Sequence, residues 1–472
     1  EEDDEDDEED DLPDSMSLSR AKWKDYTNLD SFIATWVNLE QTAKIMGFVS
    51  ELEGCHVVHP TYTLFLRNGR TSCSSPNIQQ VPRQYGLRSV FVPSEGHLFL
   101  ACDYSFIELC TLAAVCECRY GRSTLAQVIR EGRDPHAYTA AMFDGLTFTE
   151  FEKLKKSNKE EERTRYAEKR QRAKAINFGI PGGQGAASLQ EYAKSAYGVH
   201  LTLQEAKNFR ERVIHEVYPE LSTYLFEDKR FMQTLAFRLG CTTKQCWDAF
   251  RTLTAEGRTS GISGAVKHVI RGHPYDIHGD PYPNEFVEGV WACLRSLCSN
   301  RDVLQLIMGN FGEGSEDLEE KLFGGDVTTM SGRLRGGVGF TQACNTPFSG
   351  LAADGAKLAI WDLVCAGYRV VAFVHDEVLL EVPEDCDLTR EAAIVDKIMC
   401  DAMEQVCGTV PIKCKYSVSQ TWTREAQPIW DGDNLVPWEL RRMKEEGEKG
   451  EKKEKKESEV IAEGMMRFLD GY

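Results

Sequence analysis

The chain has 472 residues, 42% of them apolar and 28% charged, a balance that excludes a wholly disordered chain and leaves room for several packed subdomains. Its formal charge of -20 is concentrated, because residues 1–14 carry twelve acidic side chains and no basic one, and the other 458 residues carry only -8. No apolar run is long enough to span a bilayer, the acidic opening lacks a signal-peptide pattern, and sixteen cysteines without C-x-x-C pairs fit reduced thiols, so the expectation is a cytoplasmic, non-secreted protein with no membrane partner.

The acidic leader 1–14 repels itself and is expected to be disordered. The first residue is not Met, consistent with a piece of a longer chain. Residues 15–69 hold one or two helices and an extended piece near "HPTYTLFLRNGR". Residues 97–103, "HLFLACD", form a short apolar run ending in Asp103 and read as a buried strand, followed by helical spacing in "SFIELCTLAAV". In "DPHAYTAAMF", Asp134 is a helix N-cap and Pro135 opens the first turn. Residues 150–179 form a long, charged helical stretch that stops at Pro181-Gly182-Gly183, and residues 184–255 are mainly helical.

Residues 256–328 are Gly-rich, lack a clean period and read as an irregular insertion. His273, Asp276 and His278 lie close together there, and polar loop residues are the default reading of them over a metal site. Residues 345–367 have the pattern of an amphipathic helix. "YRVVAFVHDEVLLEVP" reads as two apolar strands around a tight corner, with His375, Asp376 and Glu377 at the tip of a β-hairpin. Residues 444–458 are a solvated Lys/Glu tail.

Two features carry chemistry. Asp103 and Asp376, 273 positions apart, each sit where an apolar strand runs into a polar turn. On neighbouring strands they would repel one another unless a cation lay between them, and hard oxygen donors suit Mg²⁺. Arg170, Lys174 and Phe178 fall four residues apart on one helical stripe. Such a stripe suits a ligand with negative charge at one end and a flat ring at the other. Taken alone, a solvated basic face with one core Phe is the default reading of it.

In order along residues 68–425, six segments resemble those of family A DNA polymerases, the bacterial DNA polymerase I class. They are "NGRTSCSSPNIQQVPR" (68–83), "DYSFIELC" from Asp103 to Cys110, the Arg170–Lys174–Phe178–Gly179 helix, "TMSGRLRG", "NTPFSGLAADGAKLA" and "VHDE" from Val374 to Glu377. The resemblance implies an α+β right hand with an antiparallel palm sheet, helical fingers and a truncated thumb. Its segments would be a thumb remnant and connection at 15–69, palm at 70–116 and 345–435, fingers at 117–344 with a nucleotide-binding helix at 163–179 and the insertion at 256–328, and a charged tail at 436–472.

The same resemblance implies template-directed addition of deoxynucleoside triphosphates to a primer 3′ end with two Mg²⁺ ions and release of pyrophosphate. Asp103, Asp376 and the backbone carbonyl of Tyr104 would hold the metals. Arg170 and Lys174 would neutralise phosphates, Lys174 with a catalytic role, and His136 would help at the phosphate end. Phe178 would stack on the base, and Glu108 would crowd the sugar 2′ position. Arg70, Asn77, Gln80 and Arg333 would contact primer–template DNA, and Asn345, His375 and Glu377 would line the primer terminus. A separate exonuclease domain or processivity factor is a further expected partner, and a viral or phage-like branch in a bacterial or virus-infected cell fits the divergence.

Several positions depart from the family pattern. Gly182, after Pro181, replaces a Tyr that stacks on the template base; Phe106 replaces a Gln, Cys110 an Arg, and Ser349 a Gln. None touches an expected metal ligand. The Pro-Gly-Gly segment is read either as a plain helix stop or as a hinge. Two other functions stay open at this point: a single-subunit RNA polymerase, disfavoured by Glu108, and a non-catalytic nucleic-acid-binding subunit, disfavoured by the intact Asp and Arg/Lys positions.

Overall fold

The computed structural model describes residues 23, 26–27, 29–82, 86–225, 228–253, 262–270, 272, 281–309, 318, 322, 325–338, 340–423 and 425–438. The acidic leader, the Lys/Glu tail, and His273, Asp276 and His278 lie outside the described residues. The chain divides into two compact units, Glu1–Tyr62 with Cys73–Pro82, and Thr63–Ser72 with Arg83–Tyr472.

The first unit contains the helix Ser31–Leu52, capped by Asp30, whose carboxylate accepts from the Phe32 N–H at 2.7 Å. It also holds the short 3₁₀ turn Ile78–Gln80, with Asn77 at its N-cap position.

The second unit is α+β. Its sheet has four antiparallel strands: β1 (His97–Tyr104), β2 (Arg369–Val374), β3 (Glu377–Pro383) and β4 (Cys414–Ser419), in the order β2-β3-β1-β4. The predicted hairpin at 368–383 is present as β2 and β3. The central strand β1 buries Leu98, Phe99, Leu100, Cys102 and Tyr104, which explains its near-continuous apolar sequence. Helix α1 (Ile107–Tyr120) leaves the end of β1 directly. Two long helices, α5 (Phe340–Cys365) and α6 (Leu388–Cys407), pack on each other, and both contact α1.

Gly355 is what lets α5 and α6 approach. A Cβ there would lie 2.8 Å from Met403 Cε and 2.9 Å from Val406 Cγ2. The helix expected from 345 begins five residues earlier and runs through Pro347.

After α1 come Thr124–Arg130, α2 (Pro135–Phe143), Phe148–Lys155, α3 (Glu160–Gly179) and α4 (Ala186–Tyr197), each packed on the next or next but one. The single stretch expected at 150–179 is therefore two helices. Thr147 and Glu150 form a capping box at the first, and Lys156 to Lys159 separate it from the second.

The insertion at 256–328 is not irregular where it is described. Ile262–Ile270, Asn284–Leu297 and Arg301–Gly309 are helices. With the helices Asp228–Leu239 and Thr243–Arg251 they bury a core of their own, including Leu235, Phe250, Val266, Leu294 and Ile307. Val287, Val290, Trp291 and Leu294 carry the helical period within one element, but each helix is too short for that period to stand out across a Gly-rich window.

Candidate active site

Asp103 lies near the end of β1, in register with Glu377 on β3 and Lys415 on β4. Directly opposed residues of antiparallel strands share a face, so Asp103, Glu377 and Lys415 are neighbours on one side of the sheet. Cys102 and Tyr104 point to the other, buried side, where the Tyr104 hydroxyl donates to the Met399 carbonyl at 2.8 Å. Asp376 occupies the two-residue corner closed by the Val374–Glu377 pair, and the Tyr104 N–H donates to the Asp376 carbonyl at 3.3 Å. The two aspartates thus stand at the same end of adjacent strands, both half-buried.

Each aspartate is followed or preceded by strained backbone. Phe106, between β1 and α1, has φ 43°, and His375, beside Asp376, has φ 62°. Side-chain-bearing residues rarely adopt this left-handed region, and such strain of about 1–3 kcal/mol concentrates at functional sites. His375 is exposed, while Glu377 accepts from the Trp422 indole N–H at 2.9 Å.

The stripe on α3 meets partners that its own sequence does not announce. Arg170 donates through Nε and Nη2 to one carboxylate oxygen of Asp134, at 2.9 and 2.6 Å. Asp134 also caps α2, accepting from the His136 and Ala137 N–H groups. Burial works to raise the Asp134 carboxyl pKa, but Arg170 and the helix N–H groups outweigh it and hold the group below its usual value. At the other end of α2, Asp144 pairs with Arg165 and Lys169, both at 2.9 Å. Several residues of the basic cluster are thus engaged by carboxylates that bracket the neighbouring helix.

His136 is 2% exposed. Burial pushes its pKa down to about 3, against the opposing pull of Asp134 and with help from Arg170 and Lys174. It is therefore a neutral ring at neutral pH, 3.2 Å from the Asn177 amide nitrogen through Nδ1, and any phosphate contact from it is that of a neutral donor. Phe178 lies between His136, with ring centroids 5.4 Å apart, and Tyr197 at the end of α4, whose ring is parallel within 7° at 6.4 Å. Lys174 Nζ stands 5.9 Å from the same Tyr197 ring. Tyr197 and Asp134 are the residues of this region that the stripe could not reveal. Asp134 was legible only as a cap, and Tyr197 belongs to the next helix, nineteen positions beyond Phe178.

After α3 the chain turns through 180–183, with Gly183 at φ 83° donating to the Ile180 carbonyl at 2.9 Å. A Cβ at Gly182 would meet the Gly179 carbonyl oxygen at 3.5 Å, an ordinary contact, so the backbone does not demand glycine at that position.

Of the residues expected to touch DNA, Arg70 forms an ion pair with Glu108, the residue expected at the sugar. Arg333 pairs with Asp354 on α5, and Arg335 donates to the Thr346 hydroxyl at 2.8 Å. Asn345 is half-buried on α5. Lys357 donates to the carbonyls of Leu64 and Gly69 at 2.6 and 2.5 Å, tying the strip before Arg70 to α5. Asn77 and Gln80 belong to the smaller unit. Ser349, where the family pattern has a Gln, is buried in α5.

Residues 22–255 match the family model described as DNA polymerase family A. DNA polymerase I of Lactococcus lactis subsp. lactis (strain IL1403) is 25% identical over 397 residues, 82% of this chain and 33% of that protein. Residues 22–255 thus match DNA polymerase family A, and most of the chain is similar to DNA polymerase I proteins. DNA polymerase I of Aquifex aeolicus is 41% identical over 145 residues, 30% of this chain and 22% of that protein. The thermostable DNA polymerase I of Thermus filiformis is 27% identical over 368 residues, 76% of this chain and 31% of that protein. A solved structure, the POL domain of Pol1 from M. smegmatis in complex with DNA primer-template and dNTP, is similar at TM-score 0.49 and 17% identity, covering 87% of this chain and 57% of that one. The chain thus spans about a third or less of the length of these family A relatives. No helix among the described residues is long and apolar enough to cross a membrane.

Proposed function

We propose that the chain is the polymerising part of a family A DNA polymerase, extending a primer 3′ end on a DNA template with deoxynucleoside triphosphates and releasing pyrophosphate. The observation that carries the reading is the meeting of Asp103 and Asp376 at one end of adjacent strands, joined through the Tyr104–Asp376 backbone bond.

The donor set fits Mg²⁺: two carboxylates and the Tyr104 carbonyl are hard oxygen ligands, and Lys415 opposite Asp103 moderates their repulsion. Asp103, Asp376 and the Tyr104 carbonyl would hold two such ions, which when bound stabilise both the attacking and the leaving oxygen of an in-line displacement. Lys174 and Arg170 neutralise the phosphates, and Phe178 gives a flat face on which any of four bases can stack. Arg170 enters the site already oriented by Asp134, so it exchanges a carboxylate for a phosphate rather than ordering from a free state. Neutral His136 supports the Phe178 ring.

Glu108 stands at the start of α1 and excludes a ribose hydroxyl, while Arg70 holds its carboxylate in place. Asn77, Gln80 and Arg333 contact the duplex, and Asn345, His375 and Glu377 line the primer terminus. In this reading the four-stranded sheet with α5 and α6 is the palm, and the helices after residue 117 are the fingers. The residues before 70 are a thumb remnant, and the protein acts in the cytoplasm of a bacterial or virus-infected cell.

Primer extension with Mg²⁺, omitting one nucleotide at a time, tests the proposal. Extension should halt where the template calls for the missing base, and deoxynucleotides should be preferred to ribonucleotides. Extension that ignores the template, or a preference for ribonucleotides, would contradict it.

A further inference from the structure

Behind the strand that carries Asp103 lies a second cluster of ligating groups. Cys102 is on β1, on the buried face, and is 0% exposed. Cys414 is on β4, and the register pairs Tyr104 with Cys414 and Cys102 with Tyr416, so both thiols face α6. Asp396 and Cys400 are four residues apart on α6, one turn, and lie on the helix face turned to the sheet. Ligand atoms of Cys102, Asp396 and Cys414 all fall within 4.8 Å of one another. Cys400 Sγ is 3.9 Å from Cys414 Sγ and 3.7 Å from Asp396 Oδ1.

Those separations have a chemical meaning. Zn–S bonds of about 2.3 Å arranged tetrahedrally place two sulfurs about 3.8 Å apart. A disulfide instead requires sulfurs at about 2.05 Å. Cys102, Asp396 and Cys414, drawn from two strands and one helix, form a three-ligand cluster, and Cys400 stands beside Cys414 and Asp396 as the donor that would complete a four-coordinate site. All sixteen cysteines are free, which leaves Cys102, Cys400 and Cys414 as ligands.

We propose that Cys102, Asp396, Cys400 and Cys414 bind one thiophilic divalent ion of the zinc class, as a structural centre separate from the Mg²⁺ site. Soft thiolates select zinc over magnesium, so the two sites do not compete for one metal. Each thiol releases its proton to solvent as it ligates, and the ion then clamps β1, β4 and α6 together immediately behind Asp103.

Metal content of the full chain, purified without chelator, tests this without any appeal to polymerase activity. About one zinc per chain is expected by mass spectrometry. Cobalt substituted for it should give the near-ultraviolet thiolate-to-cobalt absorption that an oxygen-only site lacks. Cys102→Ser with Cys414→Ser should abolish that band, Asp396→Asn should weaken cobalt binding about tenfold or more, and Cys118→Ser, at an exposed thiol elsewhere, should leave the band intact. If the double variant fails to fold, the parent alone still decides: folded protein that holds no zinc and gives no cobalt–thiolate band overturns the proposal. So does a band that survives the double substitution, and so does a Cys400–Cys414 disulfide in protein isolated under reducing conditions.

Discussion

In the proposed reading, single residues on the α2–α3 face set nucleotide handling, and His136 among them sets acid sensitivity. Lys174→Ala removes a charge-assisted contact worth about 1.5–3 kcal/mol, so KM for deoxynucleotides should rise about tenfold or more while duplex binding stays nearly unchanged. Steady-state kinetics beside a filter-binding titration separates the two. His136 makes a second prediction. Its folded pKa of about 3 lies below the ordinary value of about 6.5, so between those limits the unfolded chain binds the proton that the folded chain refuses. Stability is therefore fully present above about pH 6.5 and falls as the pH drops, by about 1.4 kcal/mol per pH unit from this group. Urea midpoints from pH 7 to pH 4 should fall less steeply for His136→Gln than for the parent. At Gly182, ordinary space for a Cβ predicts that Gly182→Ala folds with a stability change within about 1 kcal/mol, read from the urea midpoint. The α3 stripe was visible in sequence because three residues share one helix. The Asp134–Arg170 pair, the Phe178–Tyr197 contact and the Arg70–Glu108 pair were not, since each joins separate elements and a single sequence has no term for that contact.

At the scale of elements, the α5–α6 contact turns on one missing side chain. Gly355→Ala drives a methyl group into Met403 and Val406, and overpacking of this kind costs about 1–3 kcal/mol. Denaturant unfolding should show a lower midpoint with an unchanged slope; an unaltered midpoint would mean that the helices part without loss. The strand β1 and the β2–β3 hairpin were legible because their apolar runs end in polar corners, and the Asp134–Pro135 start of α2 because capping is local chemistry. The helices of 262–309 were missed for the opposite reason. Each is about two to four turns long, and their shared core forms only when elements far apart in sequence are folded together. The Cys102–Asp396–Cys400–Cys414 cluster escaped sequence reading likewise, because its ligands have no short spacing and are assembled by strand register.

Across the whole molecule, a net charge of -20 must be reconciled with the proposed binding to a polyanion. Twelve of the negative charges lie in the first fourteen residues, and several basic residues of the described chain are already paired to carboxylates. Duplex affinity should therefore rest on few phosphate contacts and still fall with rising salt, because each contact releases counterions. The central claim is that Asp103 and Asp376, brought together by β1 and the β2–β3 corner, form one catalytic pair. The most direct test is the rate of Mg²⁺-dependent primer extension by the parent and by Asp376→Ala on the same primed template. The account predicts templated extension by the parent and a loss of about a thousandfold in the variant; extension by Asp376→Ala at the parent's rate would contradict it.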